Sequence, residues 1–285
     1  MARNRASLNT GSRRNSVALK VGIAGLGAIG LHLARALDRG VEGLELVAVA
    51  ARDHAKAADN LAGFARRPAI TSLAGLAEVA DIVVEAAPAS VFEEVATAAI
   101  ARGRIFVPSS CGALLPRMRL VEQARATGAR IIIPTGALLG LDAVRAAAEG
   151  SVSSVTIETR KPPGGLVGAP YLAQHGIDVL AVTGEAKLIF EGNAFDAAAG
   201  FPANVNVAAA LAMAGIGPER TQVKIWADPA VTRNTHTIRV ESAEVRLTMT
   251  IENVPSEENP RTGKITPLSI LACLRGLVST LKVGS

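Results

Sequence analysis

Aromatic residues are scarce, with six Phe, one Trp and one Tyr in 285 positions. Sites that grip single-stranded nucleic acid stack bases on exposed aromatics, so this scarcity argues against such a surface. Cysteine is scarcer still. The two present, Cys111 and Cys273, cannot build a disulfide framework and lack metal-ligand spacing. Long apolar runs are missing as well: Arg, Asp, Gly or Pro interrupts each one before it reaches the roughly 18 residues of a membrane span. Acidic residues are absent from the first sixteen positions, where Arg3, Arg5, Arg13 and Arg14 supply four of the five net positive charges. The remainder is nearly neutral and gives little support to nucleic-acid binding. Residues 1–16 also lack the apolar segment of a secretory signal and read as a basic tail outside the fold. A soluble protein of a reducing cytoplasm is the expectation.

What is present is the composition of a well-packed α/β protein, 49% apolar and only 19% charged. The length suits two domains. From residue 20 to 134, short apolar runs alternate with helical patterns. Strands are expected at 20–24, 44–50, 70, 81–85, 104–108 and 130–134, and helices at 28–39, 54–64, 76–79, 90–102 and 118–127. Continuous apolar strands alternating with helices predict parallel βαβ units buried on both faces, a Rossmann-type doubly wound sheet spanning 17–139.

Beyond Gly140 the pattern changes. After a helix at 142–149, the segments 152–160, 187–191, 222–227, 235–240 and 244–251 resemble strands, several of them alternating apolar and polar residues as a sheet with one wet face does. This predicts an α+β domain at 140–264 with a mostly antiparallel sheet. A last helix, with Thr266 as its cap and Pro267 at its first position, would occupy 265–285 and pack back on the first domain.

Gly25-Leu26-Gly27-Ala28-Ile29-Gly30 is G-x-G-x-x-G, placed between the first strand and the first helix. The first glycine makes the turn, the second lets the backbone approach a pyrophosphate, and the third lets helix and strand pack closely. The pyrophosphate then meets the positive end of the helix. The pattern therefore predicts NAD or NADP. The acid that grips an adenosine ribose is not cleanly present: the second strand ends in Ala50-Ala51-Arg52-Asp53, where Arg52 could accept a 2′-phosphate, and both cofactors stay open. Ala87 and Pro88, and Ser109 and Ser110, follow the fourth and fifth strands, where ligands of doubly wound sheets bind.

Four histidines are available for proton transfer. His32 and His54 fall on helices and His175 in a loop, whereas His236 lies in a strand pattern that puts Asn234 on its own face. A neutral-pH acid–base group beside an amide suits a proton transfer coupled to hydride removal. Cys111 offers a rival chemistry, the thiolate nucleophile of a phosphorylating semialdehyde dehydrogenase. The continuing Rossmann pattern after it favours a buried structural thiol. A third reading is a sensor that binds the cofactor without turnover.

Six segments, GLGAIG at 25–30, PTGALLGLD at 134–142, RKPP at 160–163, FPANVNVA at 201–208, NTHTI at 234–238 and ENPRTGK at 258–264, together resemble the L-aspartate dehydrogenase family. The resemblance implies oxidation of L-aspartate by NAD or NADP to iminoaspartate, which hydrolyses to oxaloacetate and ammonia or feeds NAD biosynthesis, in a homodimer. It also implies that His236 is the active-site residue and that Ala137 contacts the cofactor together with an asparagine. That asparagine is Asn204 or Asn206; spacing to the histidine favours Asn206. Two substrate carboxylates need cationic or hydroxyl partners, for which Arg261, Thr262 and Lys264 are the candidates, with Lys161 behind them.

Overall fold

The computed structural model describes residues 18–202, 205–257 and 263–284. The first half runs β1 (Leu19–Ala24), α1 (Ala28–Asp38), β2 (Leu44–Ala50), α2 (His54–Asn60), β3 (Ala69–Thr71), α3 (Leu76–Val79), β4 (Ile82–Glu85), α4 (Phe92–Ala101), β5 (Ile105–Pro108), α5 (Arg119–Thr127) and β6 (Arg130–Ile131). The strands pair in parallel in the order β3-β2-β1-β4-β5-β6. Successive residues point to opposite faces, and both faces are covered. Val83 and Phe106 pack under α4 with Phe92 and Val95, while Ile82, Val84 and Val107 pack with Leu33 and Leu37 of α1. Each such side chain contributes roughly 1.5–3 kcal/mol on burial. The strand order reverses between β1 and β4, which opens a crevice at the carboxyl ends of the strands.

The second half comprises α6 (Leu141–Ala148), β7 (Val152–Lys161), α7 (Pro170–Gln174), β8 (Lys187–Asn193), α8 (Ala194–Gly200), α9 (Asn206–Ala214), β9 (Thr221–Ala227), β10 (Asn234–Ser242), β11 (Arg246–Asn253) and α10 (Ile265–Val278). Its sheet has the order β11-β10-β7-β9-β8 and is antiparallel except for the pair β7 and β9. One face, carrying Val155, Ile157, Val223, Ile225, Ile238 and Val240, closes on α6, α8 and α9. The other face carries ion pairs such as Arg160 with Glu158 and Asp228.

Three local details differ from the sequence expectation. Helix α10 begins at Ile265 with Lys264 before it and no side-chain cap, so Thr266 lies inside the helix. Pro267 is still accommodated, because the first turn has no use for its missing N–H. Strand β6 is shorter than 130–134, although the Ile132 amide still donates to the Phe106 carbonyl at 2.9 Å. Helix α9 escaped the periodicity reading because Ala208 to Ala212 are all buried, and a helix apolar all round has no stripe. Ile270 and Leu274 of α10 join the core beside α1. No helix among the described residues is long and apolar enough to cross a membrane.

Candidate active site

The crevice at the ends of β1, β2, β4 and β5 continues toward the second sheet as one cavity of about 570 Å³. At its first end lies the glycine turn. Gly25 has φ +94°, and a Cβ there would stand 2.4 Å from the Ala86 carbonyl oxygen. A Cβ on Gly30 would lie 1.9 Å from the Gly25 oxygen, so this glycine serves the packing of α1 on β1 and does not line the cavity. Gly27 is different: a Cβ there meets nothing within 4 Å. It precedes α1 with no side-chain cap. The open space and the uncapped amides at the helix start fit a pyrophosphate approaching the backbone. Leu26, Ala28, Ile29, Ala87 and Pro88 complete this wall.

Arg52 also lines the cavity, whereas Asp53 does not. Asp53 caps α2, accepting the Lys56 amide at 3.0 Å.

Beneath the wall lies Glu85, the fully buried last residue of β4, which the sequence reading did not single out. Its carboxyl accepts the Ala87 amide at 3.0 Å, the Ser110 amide at 3.0 Å and the Ser110 hydroxyl at 3.1 Å. It thus ties together the loops that follow β4 and β5. Burial raises its pKa against the opposing effect of these hydrogen bonds.

At the far end, β7 and β10 are antiparallel neighbours with Thr159 opposite His236. His236 is 3% exposed. Its Nδ1 lies 2.9 Å from the Thr159 hydroxyl, which leaves Nε2 as the ring nitrogen for a ligand. Burial first, and the Lys161 ammonium second, push its pKa down to about 3, so the ring is neutral near pH 7. Lys161 is itself buried, with its pKa pushed down to about 8 by desolvation. Asn234, Asn206 and Ala137 line the same cavity. Asn206 accepts the Gly112 amide through Oδ1 at 2.9 Å. Asn253, also not anticipated, donates through Nδ2 to the Ala137 carbonyl at 3.3 Å and so fixes that loop. Neither Thr159 nor Asn253 carries a local signal; only strand pairing brings them here.

The remaining candidates are placed elsewhere. Lys264 is exposed, pairs with Glu257 at 2.8 Å and borders a neighbouring cavity with His32. It therefore does not join His236, because the turn into α10 directs it outward. Asn204, Arg261 and Thr262 lie outside the described residues. His54 opens α2 and His175 stacks on Tyr171 at 3.9 Å, neither of them at the cavity. Cys111 does line it, but its Sγ lies 3.1 Å from the Asn206 carbonyl and burial pushes its thiol up to about 12. A thiol so held is not a ready nucleophile.

A phosphate cradle on one lobe facing a buried, neutral imidazole on the other is the division of labour of a nicotinamide-dependent dehydrogenase. The comparisons with known proteins agree. Residues 25–134 match the family model described as homoserine dehydrogenase, NAD binding domain, and residues 142–277 match aspartate dehydrogenase, C-terminal. The L-aspartate dehydrogenase of Bradyrhizobium diazoefficiens is 54% identical over 94% of both chains. L-aspartate dehydrogenase 3 of Bordetella bronchiseptica is 49% identical over 94% of this chain and 98% of its own. Among solved structures, aspartate dehydrogenase from Thermotoga maritima superimposes with a TM-score of 0.70 at 26% identity, covering 93% of this chain and 99% of its own. The chain belongs to the L-aspartate dehydrogenase family.

Proposed function

We propose that this protein oxidises L-aspartate with a nicotinamide cofactor to iminoaspartate, which water converts to oxaloacetate and ammonia. The observation that carries the reading is the shared cavity: the glycine turn at one end and His236, held by Thr159, at the other. When bound, the nicotinamide supplies the acceptor for the α-hydrogen as hydride. The protein's own part is binding, orientation and proton handling. Gly25, Leu26, Gly27, Ala28 and Ile29 hold the pyrophosphate, with Gly30 packing the helix behind them. Ala87, Pro88, Ala137 and Asn206 hold the rest of the cofactor. His236 Nε2 takes the proton that the substrate amine must lose as the imine forms, or takes one from the water that attacks the imine. Asn234, on the same face, orients the substrate.

NADP is the favoured cofactor. Arg52 is the cation at the end of β2, and Asp53, the nearest acid, is occupied as the α2 cap. A guanidinium suits a 2′-phosphate, and no Asp or Glu is among the described residues lining the cavity to repel it. The family resemblance further supports a cytoplasmic homodimer, with the second sheet domain contributing dimer contacts, and iminoaspartate as a precursor for NAD biosynthesis.

The test is the absorbance of reduced nicotinamide with L-aspartate and NADP+ or NAD+, for the wild type and His236→Ala. Aspartate-dependent signal that falls by about 10²–10⁴-fold in the variant is expected for loss of an acid–base group. Bound cofactor with no turnover of any amino acid would instead favour the sensor reading. Phosphate-dependent aldehyde oxidation that Cys111→Ser abolishes would favour the semialdehyde dehydrogenase, which the buried, raised thiol disfavours.

A further inference from the structure

Strand β7 ends in two consecutive cations with opposite fates. Arg160 points to the outer face, where it pairs with Glu158 at 2.8 Å and Asp228 at 3.0 Å and lies 4.8 Å above the Trp226 ring. Lys161 points the other way, to the face of Thr159, because strand side chains alternate. It is 6% exposed and lines the cavity. Thr159 is the cross-strand partner of His236, so Lys161 stands diagonally beside the histidine, within reach for a long side chain. The strand end is fixed at this point, since the Lys161 carbonyl accepts the Asp228 amide at 2.8 Å.

Lys161 thus places a cation on the wall of the ligand cavity, one diagonal step from the imidazole. Arg160 shows that a cation at the end of this strand can be accommodated outside at little cost. The cavity also contains a neutral imidazole that the same ammonium makes less basic. A carboxylate entering this cavity would meet the Lys161 ammonium beside the imidazole and could form a charge-assisted hydrogen bond with it.

We propose that Lys161 is the binding residue for a carboxylate of the amino-acid substrate. The inference rests on the aspartate reading and adds the residue that selects an acidic substrate. Lys264, the other lysine considered for that role, borders a different cavity and pairs with Glu257.

The experiment compares wild type, Lys161→Met and Lys161→Arg in steady-state kinetics with L-aspartate and L-alanine. NADPH binding is followed separately by fluorescence, and succinate binding to the NADPH complex by calorimetry. Loss of one charge-assisted contact should raise the KM for L-aspartate by about 100-fold or more in Lys161→Met. NADPH binding should be unchanged and succinate binding lost, with partial recovery in Lys161→Arg. If Lys161 holds the side-chain carboxylate, Lys161→Met leaves the rate with L-alanine at its wild-type level; if it holds the α-carboxylate, both substrates suffer alike. Unchanged KM and succinate binding in Lys161→Met, with wild type active on L-aspartate, would overturn the inference. A wild type inactive on L-aspartate would overturn the functional reading instead. NADPH binding serves as the folding control, and should Lys161→Met fail it, Lys161→Gln gives the same comparison.

Discussion

The two ends of the cavity are built from different materials. At the cofactor end the surface is backbone: a glycine turn, the start of α1, and loops after β4 and β5 tied together by Glu85. At the reaction end it is side chain: His236, Lys161 and Asn253 project from three adjacent strands, with Thr159 holding the histidine from behind. Backbone recognition depends on local conformation, and only glycine supplies it, so it leaves a mark in consecutive residues. Side-chain recognition depends on register between β7, β10 and β11, and leaves almost none.

This contrast predicts how each end breaks. Gly27→Val should leave the fold intact, because the Cβ position is open, yet fill the space a pyrophosphate needs. NADPH affinity should drop by about 100-fold or more, since the uncapped amides lose their anion, with the melting temperature nearly unchanged. A large fall in melting temperature would mean that Gly27 is a packing glycine like Gly30.

Arg52→Ala should act at the same end more narrowly. The KM for NADP+ should rise by about 10- to 100-fold, the worth of a hydrogen bond to a charged group, while that for NAD+ stays within about twofold. Equal losses with both cofactors would place Arg52 away from the 2′ position.

The reaction end should reveal itself in acid. The folded-state pKa of His236 is depressed from 6.5 to about 3, so between these values the unfolded chain binds a proton that the folded chain refuses. Stability therefore falls as pH drops from about 6.5 toward 3, by about 1.4 kcal/mol per pH unit from this group. Denaturant unfolding of wild type and His236→Gln across that range should show a shallower slope in the variant. Parallel curves would mean that the ring is not buried neutral.

The smallest effect belongs to Cys111→Ser. The thiol lies in the cavity wall, buried and against the Asn206 carbonyl, so turnover should stay within about threefold, the span of a hydrogen-bond adjustment worth well under 1 kcal/mol.

Legibility in the sequence followed the same division. The turn from Gly25 to Gly30, the alternation of apolar strands with helices, and the shared face of Asn234 and His236 are all patterns over a few consecutive residues. Asp53 shows the limit: the sequence after β2 offers no clean ribose-binding acid, and only the structure shows that the Asp53 carboxylate accepts the Lys56 amide as a helix cap. Lys264 shows it again, since a cation in a family-like segment says nothing about which side of α10 it faces. Glu85 reads as the last residue of a buried strand; that its carboxyl joins two loops depends on Ser110, 25 positions away.

The sequence by itself determined the two sheet architectures, the nucleotide cradle and the family, because periodicity, glycine placement and short motifs are local properties. Only the tertiary structure decided which cation lines the cavity beside His236, what holds that ring, and that the Cys111 thiol is buried. Burial, cross-strand register and electrostatic environment arise between residues far apart in the chain, and no local pattern encodes them.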